Sequence, residues 1–588
     1  VRIGNCSGFY GDRFAAMREM LAGGDLDVLT GDYLAELTML ILFRSRLKNP
    51  DGGFATTFVR QLEECLGLAW EKGVRIVANA GGLAPAACAA AVRDVAVRLG
   101  LRVNVAHVEG DDLMPRLAEL RAGGVDFANL DTGAALAGDP LTANAYLGGW
   151  GIAAALDAGA QVVVTGRVTD AALVIGPAAW WHGWARTDWD ALAGALVAGH
   201  VLECGAQATG GNYAFFQEIP GLEHLGFPLA EIADDGTSVV TKHPESGGAV
   251  TVGTVTAQLL YEIGRPLYLN PDVTADFATI RLTSVGPDRV EISGVRGAPP
   301  PPTTKVCLNL VGGYRNSMTF LLTGLDIDAK ADLVRRQLAP LLDDGRDVVW
   351  SLARTDSDDP ATNEQAAATL RVTVKDADGK RIGRAFSSAA VEIALASYPG
   401  CTLTSPPGDA SPYGVYWPAL APNELMTHTV VLEDGTRVDI EPAPETTPPP
   451  PSGSAAAAAP SAATGRVASG GRAAGALRAP LGLLAGARSG DKGGNANVGV
   501  WARTDEAFDW LSSGLTVERF QQLLPETASY PVERFDLPNL RALNFVVHGL
   551  LGEGVAAGTR QDPQAKGLGE WLRARHVAIP PHLMEGDA

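Results

Sequence analysis

Val74-Arg-Ile-Val-Ala-Asn-Ala-Gly-Gly-Leu-Ala-Pro85 is the stretch on which the fold turns. A short apolar run makes a strand, Asn79-Ala-Gly-Gly82 makes a tight polar loop, and Pro85 stands where a helix accepts proline, in its first turn. The same order recurs along the chain. Val1-Arg-Ile-Gly4 leads to Asn5, Asp12 and Arg13, and the run Leu26 to Leu29 leads to Asp32 and Glu36. The run ending at Val108 leads to Glu109-Gly-Asp-Asp112, and Val162 to Thr165 leads to Gly166-Arg-Val-Thr-Asp170. Short β-branched runs alternating with helical stretches predict an α/β domain whose parallel sheet is covered on both faces.

Beyond this domain the texture changes. Val252 to Leu260, Ala278 to Leu282, Arg289 to Ile292, Val306 to Val311 and Leu370 to Val374 read as strands, with helical segments between them. This predicts a mixed α+β second domain. A proline run at Pro448 to Pro451, an alanine tract and Gly470-Gly471 follow, with no periodic apolar face, as in a disordered tether. The expected division is 1–248, 249–440, a linker at 441–480, and a small α+β domain at 481–588.

At 588 residues the chain exceeds one core, and 46% apolar against 19% charged residues supports large buried interiors. A net charge of -20 without a basic run argues against nucleic acid and against anionic membrane surfaces. No apolar run reaches the length of a membrane helix. Cys6, Cys65, Cys88, Cys204, Cys307 and Cys401 are dispersed, which predicts reduced thiols and a cytoplasmic protein.

In open parallel sheets ligands sit beyond the carboxyl ends of the strands. That rule brings Asn5, Asp12, Arg13, Asp32, Glu36, Asn79, Asp111, Asp112, Arg167 and Asp170 toward one cleft, although each Asp or Asn could merely cap the helix after it. Gly81 and Gly82 could expose backbone N–H groups as an anion nest, or only form a tight turn. His200-Val-Leu-Glu203-Cys204 places a base, an acid and a thiol on one helical face, fit for proton transfer or nucleophilic attack, or for a packed helix end. Lys242 and His243 could hold a carboxylate or phosphate. Arg488-Ser-Gly-Asp-Lys-Gly493 suits an anion or partner contact and a hairpin turn equally. Neither G-x-G-x-x-G nor a Walker A sequence occurs, so no nucleotide or organic redox cofactor is expected. A divalent ion on the clustered aspartates stays open.

Asn5-Cys-Ser-Gly-Phe-Tyr-Gly-Asp-Arg13, Thr30-Gly-Asp-Tyr-Leu-Ala-Glu36 and Asn79-Ala-Gly-Gly-Leu-Ala-Pro85 resemble the AtuA (acyclic terpene utilisation) family. Glu109-Gly-Asp-Asp112, Thr165-Gly-Arg-Val-Thr-Asp170, His200 to Gly211, Lys242-His-Pro244 and Pro271-Asp-Val273 continue the resemblance in order, over residues 1–439. Residues 481–579 separately resemble the family's C-terminal domain, through Arg488 to Gly493 and Leu543-Asn-Phe545. The resemblance implies bacterial breakdown of acyclic terpenes such as citronellol and geraniol through branched acyl-CoA thioesters. It carries over no established catalytic residue, because the family's own reaction is not part of what the motifs imply.

The expectation is therefore an enzyme acting on an acyl-CoA-like small molecule as a hydratase, lyase or thioester hydrolase. Asp32, Asp111, Asp112 and Asp170 would supply acid and base, while Arg13, Arg167 or Lys242 would hold an anionic oxygen. His200, Glu203 and Cys204 are the second catalytic candidate. A homo-oligomer or a partner enzyme is expected. The alternative is a non-catalytic acyl-CoA-binding or assembly subunit that recruits a partner through its C-terminal domain.

Overall fold

The computed structural model describes residues 1–342, 345–450 and 476–584; the side chain of Glu36 also lies outside the description. Most of the expected tether, residues 451–475, lies outside the described residues.

Five parallel strands form the centre of the first unit: β1 (Arg2–Asn5), β2 (Val28–Gly31), β3 (Arg75–Ala78), β4 (Val105–Glu109) and β5 (Val162–Thr165). They lie in the order β1-β2-β3-β5-β4, with β5 inserted between β3 and β4. The expected all-parallel sheet is corrected at its edges. Antiparallel strands extend it on both sides to eleven, beginning with Pro228–Ile232 beside β1 and Thr429–Val431 beside β4. These flanking strands close what would otherwise be open edges.

Helices Ala16–Gly23, Thr56–Lys72 and Pro85–Arg98 bury their apolar faces in one core, together with Leu29, Ile76 and Val164 of the sheet. Helices Trp150–Asp157, Ala172–His182 and Trp189–Leu202 pack in the other, with Ile3, Val77 and Val163. The chain leaving β3 thus turns to one face and the chain leaving the adjacent β5 to the opposite face. In open α/β sheets such a divergence is the place where a ligand crevice is expected, at the carboxyl ends of the strands between these two loops.

Helix Trp189–Leu202 is apolar all round and every residue from Ala191 to Leu202 is buried, so its end is fixed on all sides. Val252–Leu259 is also a helix, contrary to the strand its alternation of β-branched residues suggests. A reciprocal cap decides it: Thr251 Oγ1 accepts from Thr254 N at 3.1 Å, and Thr254 Oγ1 accepts from Thr251 N at 2.9 Å.

The second unit comprises Asn309–Tyr416 and Ala556–Pro563, narrower than the expected 249–440 domain. Its antiparallel strands include Asp347–Ala353 and Ala367–Asp376, and helices Ile327–Leu342 and Arg384–Glu392 cover Phe320, Leu370, Val372 and Val374. No candidate residue falls in it.

The C-terminal part belongs to the first unit. Its four antiparallel strands follow the spatial order Ala485–Lys492, Asn495–Ala502, Ala542–Val547, Val532–Leu537, packed on helices around Phe520 and Phe545. Order begins before Leu481, because Leu477–Pro480 pairs with His576–Ile579. The first residues of the expected tether are bound rather than loose. Thr447 N donates to Pro300 O at 2.8 Å, and Arg265 Nη1 donates to Pro450 O at 2.7 Å. Among the described residues no helix is long and apolar enough to cross a membrane.

Candidate active site

The in-register parallel pairing fixes the first feature of the site. Asn5 pairs with Thr30, Gly31 with Ala78, Ala78 with Val164, and Val108 with Thr165, so the five strands end together. Asn5, Asp32, Asn79, Asp111 and Arg167 therefore stand at one end of the sheet, and all five are buried.

Asp32 Oδ1 accepts from Asn79 Nδ2 at 2.6 Å and from Leu34 N at 3.1 Å. Asn79 Oδ1 in turn accepts from Tyr33 N, which ties the β2 and β3 loops together. Burial holds the Asp32 carboxyl well above the usual range, and the Asp170 carboxylate adds to this while Arg167 opposes it. Arg167 Nη1 donates to Asp170 Oδ1 at 2.8 Å, and its guanidinium lies 4.2 Å from the centre of the Tyr146 ring. Asn5 Nδ2 donates to Leu202 O and Glu203 O, and so joins the end of β1 to the His200–Glu203 segment.

Glu203 Oε1 lies 3.1 Å from His200 Nδ1. The approach is not aligned for a hydrogen bond: neither ring nitrogen completes one, and Glu203 Oε2 also lacks a partner. Burial, then Asp170 and Glu262, push the Glu203 carboxyl well above its usual range. Burial, then the Lys492 cation, push the His200 imidazole down to about 4. Its ring lies 5.3 Å from Tyr268 and 5.6 Å from Phe277, so at neutral pH this is an uncharged, packed histidine. The Cys204 thiol is raised by burial and by Glu203, and so is not a thiolate at neutral pH.

Other candidates have structural work. Gly81 N donates to Thr165 O at 3.0 Å and Gly82 N to Asn79 O at 3.2 Å, so neither N–H is left for an anion nest. A Cβ on Gly81 would lie 2.5 Å from Thr165 O, which is why glycine stands there. Asp12 accepts from Gly8 N and Arg13 N. Arg13 pairs with Glu19 at 2.7 Å and donates to Leu225 O. Asp112 Oδ1 accepts from Met114 N at 3.0 Å, two residues on, as a local turn contact. Lys242 donates to Ser246 O at 2.8 Å and faces Asp288 at 3.3 Å. His243 Nε2 bonds Met20 O at 2.9 Å. Arg13, Lys242 and His243, expected to receive an anion, are thus each engaged with groups of the chain itself. Glu36 begins helix Glu36–Lys48, and its side chain is outside the description.

Asp111 supports the site from behind. Its Oδ2 accepts from Arg167 N and Asn144 Nδ2, both at 2.9 Å, while burial pushes it up to about 7. A carboxyl raised in this way holds its proton more tightly folded than unfolded. Its contribution to stability is thus complete below the ordinary carboxylate range and is lost as pH rises toward about 7. Asp111→Asn keeps an acceptor and is expected to remove roughly 3 kcal/mol of pH dependence between about pH 5 and about pH 8. Urea unfolding at both pH values measures it, and an unchanged slope would refute the assignment.

Tyr268, Glu262 and Lys492 are the residues that sequence reasoning did not place. Tyr268 stacks on Phe277 at 5.3 Å, and the Lys492 ammonium lies 5.5 Å from the Tyr268 ring centre. The only signal for Lys492 was a cation in a Gly-rich hairpin.

A cavity of about 420 Å³ lies at the opposite, amino ends of β3 and β5, beside Arg75 and Gln161. A second, of about 610 Å³, is lined by Trp150, Trp180, Trp184 and Arg186. Neither contains the acid cluster. The perturbed carboxyls and the unpartnered Glu203 oxygen make this strand-end cluster the candidate site instead. Among the described residues no group of three or more His, Cys, Asp or Glu side chains could hold a metal ion.

The structure is thus an α/β protein with a cluster of buried polar side chains at the carboxyl ends of its parallel strands, joined to a small C-terminal α+β domain. The model for the acyclic terpene utilisation family protein AtuA matches residues 1–432, and that for the AtuA ferredoxin-like domain matches residues 479–578. The chain belongs to the AtuA family, that of acyclic terpene utilisation. Neither a curated protein nor a solved structure gives a match.

Proposed function

We propose that this chain is an acid–base enzyme of branched or acyclic terpenoid breakdown, acting on an acyl-CoA thioester as a hydratase or lyase. One observation carries the reading: Glu203 is a buried carboxyl held toward its protonated form, with one oxygen unpartnered, beside the Arg167–Asp170 pair. A carboxyl pushed toward its protonated form beside a second one paired with an arginine is the arrangement in which two carboxyls take opposite roles.

In hydration of an α,β-unsaturated thioester, Asp170 takes a proton from water as the water oxygen bonds to the β carbon. The C=C electron pair moves to the thioester as an enolate, and Glu203 then delivers its proton to the α carbon. Elimination runs these steps in reverse. Arg167 fixes the Asp170 carboxylate in place. A covalent thiol route is disfavoured by the raised Cys204 thiol. The reading of a recruiting subunit is weakened because the C-terminal sheet is already occupied by the chain's own turn near Glu262.

The test is turnover of a panel of branched enoyl-CoA thioesters, followed by loss of enoyl absorbance. Asp170→Asn is expected to lower kcat about a hundred-fold or more. Absence of both turnover and thermal stabilisation of the wild type across the panel would sink the proposal.

A further inference from the structure

The C-terminal domain also brings a cation to this cluster. Lys492 ends the strand Ala485–Lys492 and caps the face of Tyr268, whose ring lies 5.3 Å from His200. Its charge acts on both His200 and Glu203. We infer that Lys492 is a catalytic residue of this cluster, placed to hold the carbonyl oxygen of the bound thioester as negative charge develops there. This rests on the proposed acid–base reading and adds what that reading lacks, a cation for the enolate oxygen.

The position of Lys492 is built, not left to a flexible arm. Asn497 Nδ2 donates to Leu260 O at 2.7 Å, and Asn497 Oδ1 accepts from Glu262 N at 2.9 Å. Asn544 Nδ2 donates to Gly264 O at 2.7 Å, and its Oδ1 accepts from Asn497 Nδ2 at 3.0 Å. Both asparagines are fully buried. Gly490 and Gly499 let the sheet close on this turn: a Cβ on Gly490 would run into the Tyr261 ring, and one on Gly499 would lie 2.5 Å from Leu260 Cβ. Arg488, also buried, donates to Gln207 Oε1 and stacks 4.1 Å from the centre of the Tyr261 ring. The hairpin that carries Lys492 is therefore clamped to the turn from Leu260 to Gly264 and, through Arg488, to Gln207, a few residues beyond Glu203. A cation delivered by such a clamp is preorganised, which is what electrostatic stabilisation of a developing oxyanion requires.

The simpler account is that Lys492 only balances Glu262 and helps hold the domain in place. Two readouts on the full-length protein separate these. With a branched enoyl-CoA that the wild type turns over, Lys492→Gln is expected to lower kcat at least about a hundred-fold, with the melting midpoint nearly unchanged. Lys492→Arg, which keeps the charge, is expected to fall between the two. If Lys492→Gln does not fold, the Arg variant decides: wild-type kcat in a folded Lys492→Arg would overturn the assignment. The second readout needs no substrate. The charges of Lys492, Glu262 and Asp170 act on the His200 ring, and Glu203 Oε1 lies 3.1 Å from its Nδ1. Its titration, followed by NMR of histidine-labelled protein, should move upward in Lys492→Gln as the cation is removed. An unmoved His200 titration, or full turnover in Lys492→Gln, overturns the inference. Failure of every thioester in the panel counts against the proposed reaction instead, while the His200 titration still reports whether Lys492 faces the site.

Discussion

Glu203→Gln is expected to abolish most turnover while leaving the fold intact. Glutamine copies the shape of the protonated carboxyl and cannot release a proton, so kcat should fall about a hundred-fold or more. Stability should move the other way. Burial, Asp170 and Glu262 hold the Glu203 carboxyl well above its usual range, so ionising it opposes folding once pH exceeds the ordinary carboxylate value. Removing the ionisation should leave the melting midpoint at neutral pH unchanged or higher. Steady-state rates and thermal melts on the same preparation measure both. Wild-type turnover in Glu203→Gln would remove Glu203 from the chemistry; lost turnover with a lower melting midpoint would make it a packing residue.

Asn497→Ala is expected to have the largest effect on the docked domain. The side chain satisfies Leu260 O and Glu262 N inside a fully buried contact, and alanine leaves both without that partner. An unsatisfied buried backbone group costs about 1–3 kcal/mol, so the pair should cost on the order of 3 kcal/mol. The loss should appear as early melting of the C-terminal domain and as faster amide exchange at Glu262. Because Lys492 sits in the same clamped hairpin, turnover should fall with it. Unchanged exchange and melting would show that the domain is held by its apolar contacts instead, such as Trp501 stacked on Tyr213.

Neither variant touches the residues that the strand–loop–helix pattern made most conspicuous. Arg13, His243 and Gly81 carry polar groups or a tight fit in their own right, but each has a backbone partner that no local pattern announces. Met20 O, Leu225 O and Thr165 O come from segments brought close only by the fold.

The sequence by itself determined the repeating strand–loop–helix units, the family, and the convergence of Asn5, Asp32, Asn79, Asp111 and Arg167 at one end of a sheet. These follow from local rules, since strand length, turn residues and helix starts are written within a few positions of each other. His200 and Glu203 were also legible, because a spacing of three on a helix puts them on one side. Only the tertiary structure decided that His200 is an uncharged packed ring, that burial pushes the Glu203 carboxyl toward its protonated form, and that Lys492 lies across Tyr268 from a domain nearly three hundred residues further along the chain. Desolvation and long-range charge depend on what surrounds a group in space, and residues so distant in sequence share no period or spacing from which that surrounding could be read.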